Sequence, residues 1–158
     1  MSREVWVAAG LAFATASIGG SLTVLDSWYY SLVQPSWKPP DWAFGPAWTT
    51  LFGLMAWSGV VGWRAAQSIG GRLPLKLLGL WALNGLLNIG WSLLFFKLQR
   101  PDLAVIEVAF LWLSIAGLLV HLRSYAPRAA LLLLPYLAWV SFAAALNAAV
   151  VLLNTPVA

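Results

Sequence analysis

Five apolar runs divide this chain, at residues 5–25, 46–64, 77–96, 102–122 and 128–153. Each is close to the roughly 20 residues that an α-helix needs to cross a bilayer. Asp26 stops the first and Pro46 stands where a helix can start. Lys76 and Lys97 bracket the third, Pro101 precedes the fourth and Pro127 the fifth. Backbone groups in lipid find no water, so such runs must bond internally as helices. The composition agrees. Of 158 residues, 61% are hydrophobic and only 9% charged, against roughly 25% charged in soluble domains. The expectation is an all-α membrane protein, one domain over 1–158, built as a five-transmembrane-helix bundle. The opening run follows Met1-Ser2-Arg3-Glu4. It is longer than the apolar part of a signal peptide and reads as a first span.

The net charge of +4 does not imply nucleic-acid binding, because the basic residues stand singly between apolar runs. They set orientation instead. With five spans, Arg3, Arg64, Arg72, Lys76, Arg123 and Arg128 share one side, and Lys38, Lys97 and Arg100 the other. That asymmetry predicts a cytoplasmic N-terminus. Cysteine is absent, which excludes disulfides and zinc–thiolate sites.

Between the first two runs lies QPSWKPPDWAFGPAW, residues 34–48, with four prolines and three tryptophans. Proline fixes φ, removes a donor and restricts the residue before it. This stretch therefore reads as a stiff loop, either a lid over a pocket or a cap on helix ends. Long loops of this kind are usually functional.

Candidate chemistry lies on three runs. Asn84, Asn88, Trp91 and Phe95 recur at spacings of four, three and four, which puts them on one helix face. Amides facing lipid are costly, so this face should point inward, as interhelical glue or as pocket wall. Trp48, Phe52 and Met55 form a similar stripe on the second run. Tyr136, Trp139, Ala143, Leu146 and Asn147 do so on the fifth. Ala8, Ala12, Ala16 and Gly20 make a small-residue series on the first, compatible with packing inside the bundle and with a homodimer face. Glu107, one turn past Asp102, is expected to reach the headgroups, and His121 to be interfacial. No metal-ligand set, nucleophile–base pair or phosphate loop is visible, so metal-dependent, hydrolytic and phosphoryl-transfer chemistry have no candidates.

Several motifs together resemble the TspO/MBR family of tryptophan-rich sensory and translocator proteins. They are Trp28-Tyr29, Pro35-Ser36-Trp37-Lys38-Pro39-Pro40, Phe44-Gly45-Pro46-Ala47-Trp48-Thr49, Leu87-Asn88-Ile89-Gly90-Trp91-Ser92 with Leu94-Phe95-Phe96, and Pro135-Tyr136-Leu137-Ala138-Trp139 through Leu146-Asn147. The resemblance implies a five-helix bundle whose first loop lids a pocket. It implies ligands such as protoporphyrin IX and other flat apolar molecules, with no covalent cofactor. The pocket would use Tyr29, Trp37, Pro40, Trp48, Phe52, Asn88, Trp91, Trp139, Ala143 and Leu146. Asn84 stands where many members have glutamine and joins this set. Some bacterial members degrade porphyrin in light, which would make Trp48 and Trp139 catalytic. The sterol-recognition pattern of animal members is missing from residues 146–158, which fits a bacterial cell-envelope protein. Three functions follow as expectations: a tetrapyrrole receptor or carrier, a light-dependent porphyrin-degrading enzyme, and a membrane scaffold.

Overall fold

The computed structural model describes residues 2–154. The last four residues of the stretch lacking the sterol pattern lie outside the described residues. Helix α1 spans Arg3–Leu22, and the short α2 Ser27–Ser31. The long α3 spans Asp41–Ile69 and α4 Leu73–Ser92, the latter continued by a π-helical turn, Leu93–Lys97. Then come α5, Pro101–Arg123, the short α6, Pro127–Leu131, and α7, Leu134–Asn154.

The boundaries follow local chemistry. Helix α1 stops before the expected end because Thr23 turns back, its amide and hydroxyl both bonding the Gly19 carbonyl. Asp26 then caps α2, accepting the Tyr29 amide at 3.1 Å. Helix α3 begins earlier than expected, at Asp41, with Pro46 inside it. One turn from the N-terminus, a proline removes only the bond to the Trp42 carbonyl, and the acidic Asp41 suits the positive end of the helix dipole. The fifth run is not continuous. Pro135 cannot donate back to Leu131, and the chain breaks into α6 and α7 there.

Among the described residues, four helical segments are long and apolar enough to cross a membrane: Arg3–Leu22, Leu73–Lys97, Pro101–Arg123 and Pro127–Asn154. The fifth expected span, in α3, is not among them. At 29 residues α3 is long enough, but its tryptophans, glycines and hydroxyl side chains leave it less apolar than the rest. The outer surface is greasy: Leu86, Phe110, Leu113, Val120 and Leu152 are each more than half exposed. In water such a surface would aggregate, whereas in lipid it faces a matching solvent.

Helix α1 packs on α3 and α4, α5 on α4 and α7, and α6 wedges between α3 and α5. The tightest core lies around Leu77, Ile115, Leu118, Leu122 and Leu133. Ser58 ties α3 to α6 by donating to the Ala129 carbonyl at 2.8 Å. Farther along the same half of α3, Arg64 bonds Glu4 and Ser2 of the α1 start. Gly62 marks the closest approach, since a Cβ there would stand 2.6 Å from the Leu122 Cδ2. Leu122 is fully buried, and Leu77 and Ala129 crowd the same point at 3.5 and 3.8 Å. Gly62→Ala should therefore lower stability by about 1–2 kcal/mol, overpacking outweighing the helix-propensity gain. Gly117→Ala, where a Cβ meets nothing within 4 Å, should not lower it. Thermal melting in detergent checks both, and equal melting points would refute the close packing.

Candidate functional site

A cavity of about 860 Å³ lies between α1, α3, α4, α5 and α7, beneath the Pro/Trp loop. Four features of the chain build it.

The first is α4. The stripe Asn84–Asn88–Trp91–Phe95 faces the bundle interior, but its members divide. Asn84 is fully buried behind the cavity wall. It donates to Ser114 at 2.9 Å and accepts from the Tyr136 hydroxyl at 3.4 Å. Asn88 donates to the same hydroxyl at 3.1 Å and also lines the cavity. Ser114 ends the chain on the Leu111 carbonyl. Asn84 is thus interhelical glue, while Asn88 is both glue and wall. Farther on, the π turn carries bonds from Leu98 to the Leu93 carbonyl and from Arg100 to the Leu94 carbonyl. The wider turn lets two consecutive residues, Phe95 and Phe96, line the cavity together. Trp91 stacks on Phe95 at 5.2 Å and donates to Asn147 at 3.3 Å. Asn147 in turn donates to the Pro101 carbonyl at 2.8 Å, which fixes α7 against the start of α5.

The second is an aromatic cluster on α3 and α7. Trp48 meets Phe52, Tyr136 and Trp139, the last edge-to-face with centroids 6.5 Å apart. Trp139 also touches Phe44 and Phe142. Its far side borders a second, outer groove with Pro46, Leu51 and Pro135, so the indole partitions that groove from the cavity. Ala143 and Leu146 continue the α7 wall.

The third is α1. Ala12, Ala16 and Gly20 of the small-residue series lie on the cavity wall. The series therefore makes room for the cavity as well as bringing α1 close to α3 and α4.

The fourth is the loop. It is fastened at both ends. Val33 exchanges two backbone bonds with the Asn154 amide, at 2.9 and 3.0 Å. Tyr29 donates from its hydroxyl to Asp41 at 2.9 Å, and Lys38 pairs with the same carboxylate. The Lys38 ammonium also sits over the Tyr29 ring, 5.6 Å from its centre. The Lys38 hydrogen bond holds the Asp41 carboxyl below its ordinary range. Burial opposes the charge on Lys38, but its bonds to Asp41 and Tyr29 outweigh that and raise its pKa. Burial, reinforced by Asp41, raises that of the Tyr29 phenol.

Of the residues expected at a pocket, Tyr29, Trp48, Phe52, Asn88, Trp91, Trp139, Ala143 and Leu146 line this cavity. Trp37, Pro40 and Asn84 do not. Trp37 is half exposed and packs on Phe142 at the outside of α7. Trp42 turns outward, 76% exposed. The cavity also takes in Lys38, Asp41 and Phe44, which sequence reasoning left out. The spacing of Lys38 and Asp41, three residues apart, was the available signal. Glu107 differs from its expectation. Its carboxyl turns inward toward Gly90, with both oxygens buried and lacking a hydrogen-bond partner. His121 packs edge-on against Tyr125 at 5.4 Å.

The TspO/MBR family model matches residues 7–153. The chain belongs to the TspO/MBR family. It is 40% identical over 151 residues to the tryptophan-rich protein TspO of Chlorobaculum tepidum, covering 92% of both chains. It is 33% identical over 135 residues to the tryptophan-rich sensory protein of Cereibacter sphaeroides, covering 85% of this chain and 82% of that one. The pig translocator protein is 36% identical over 137 residues, covering 83% and 80%. TspO/MBR membership and the apolar helices make this an integral membrane protein, and the relatives' names support a sensory or transport-type role.

Proposed function

We propose that the chain is a membrane receptor or carrier for tetrapyrroles of the protoporphyrin IX type and similar flat apolar ligands. The observation that carries this reading is the cavity wall. Trp48, Phe52, Trp91, Phe95 and Trp139 surround about 860 Å³, within the range of small-molecule pockets. Aromatic faces suit a flat macrocycle, each stacked pair adding roughly 0.5–1.5 kcal/mol beyond burial. A fastened, proline-stiffened loop loses little freedom on closing over such a ligand. In this reading α3 is the fifth span, because only a crossing there leaves the loop and the α7 end on one side. The Lys/Arg distribution then favours a cytoplasmic N-terminus.

The test is titration of protoporphyrin IX against intrinsic tryptophan fluorescence, with Trp139→Phe and Asn88→Ala beside the parent and melting curves to verify folding. Micromolar quenching, weakened in both variants, is expected. Equal affinity in all three would move the site elsewhere.

The Trp48–Trp139 contact favours a second reading, light-driven porphyrin degradation through tryptophan radicals. Illuminating the complex in air tests it. Porphyrin loss that continues unchanged in Trp139→Phe would remove that tryptophan from the chemistry.

A further inference from the structure

The polar groups of the cavity are unevenly committed. The hydroxyls of Thr15, Thr23 and Thr49 donate back to carbonyls of their own helices. Asn88 and Asn147 donate to Tyr136 and to the Pro101 carbonyl. The Trp139 Nε1 on the wall is buried without a partner, and Ser17 and Ser92 also line the cavity, but the charged groups gather at the loop end. The charged lining residues are Lys38 and Asp41, and Gln34, whose Nε2 is buried without an acceptor, also lines the wall. The Lys38 side chain is 14% exposed, largely withdrawn from water.

An ammonium has three donors. Asp41 takes one and the Tyr29 side chain, whose ring lies 5.6 Å from the ammonium, engages a second at most, which leaves a third. Lys38 can therefore serve a second anion while holding its first, and Gln34 adds an unpartnered neutral donor to the same cavity wall. A neutral ligand end gains little from this arrangement. A carboxylate gains a charge-assisted bond, roughly twice as strong as a neutral one.

Building on the tetrapyrrole reading above, we infer that Lys38 selects ligands with an acidic end. The site then takes flat apolar molecules with a carboxylate lodged under the loop and the ring system between the tryptophans. Asp41 acts in opposition: it orients Lys38 but competes with the ligand for it.

Protoporphyrin IX and its dimethyl ester, which lacks free carboxylates, make the test. Each is titrated into the parent, Lys38→Gln, Lys38→Arg and Asp41→Asn proteins. The parent should bind the acid on the order of tenfold more tightly than the ester, the size of one charge-assisted bond. Lys38→Gln should bring the acid down to the ester's affinity and leave the ester unchanged, while Lys38→Arg keeps the preference. Asp41→Asn should strengthen acid binding, because the competing carboxylate is gone. Equal binding of acid and ester by the parent overturns the assignment. So does an equal loss for both ligands in Lys38→Gln, which would make the ion pair a loop fastening only. Quenching by neither compound is a different failure, because it removes the tetrapyrrole reading and this assignment with it.

Discussion

Tyr136→Ala should lower the stability of the folded protein by about 3–5 kcal/mol, the range for removing a large buried aromatic side chain. Tyr136 is fully buried, packs against Trp48, and joins two amides of α4 through one hydroxyl. The substitution leaves a void and strips both asparagines of a partner. Tyr136→Phe separates the two effects. It keeps the ring and loses the hydroxyl, so its cost should fall to about 1–3 kcal/mol, the penalty for unpaired buried polar groups. Thermal or denaturant unfolding of the purified protein in detergent gives both values. An alanine variant no less stable than the phenylalanine variant would show that the ring contributes nothing to packing, against its burial.

Ala16→Phe should block the cavity while leaving the fold intact. Ala16 lies on the cavity wall, and the new ring would occupy space that a ligand needs. Steric overlap of this kind costs about 1–3 kcal/mol in packed sites, which is roughly a 5- to 150-fold loss of affinity. The ligand's own absorbance should report it, since an added aromatic side chain complicates protein fluorescence. The oligomeric state should not change, because this face is turned toward the cavity. Unchanged porphyrin affinity combined with a shifted oligomeric state would instead support the scaffold function and a homodimer face on α1.

Much of the candidate site was legible because membrane helices impose a strict rule. A polar side chain on an apolar helix must turn inward, so Asn84, Asn88 and Asn147 declared their faces from spacing alone. Periodicity could not say which inward positions meet a cavity and which meet another helix. Asn84 and Asn88 lie four residues apart on one face, yet one is sealed behind the wall and the other lines it. The difference depends on where Ser114 and Tyr136 stand, on two other helices. The same limit applies to the loop. Its prolines predicted stiffness, but the direction of each tryptophan depends on contacts with distant residues. Trp37 finds Phe142 outside α7, and the loop ends are held by Asn154 and Asp41. The outward reading of Glu107 failed for a related reason. Its distance from the helix end was visible, but the space opposite Gly90 on the neighbouring helix was not.

The sequence by itself determined the solvent, the helical class and the inward faces, since these follow from local composition and from the cost of unpaired polar groups in lipid. Only the tertiary structure decided the rest: the void among the inward faces, the π turn that doubles the Phe95–Phe96 wall, and the placing of Lys38 and Asp41 on that void. Those features depend on the volume left when separate helices meet, and no single segment encodes that volume.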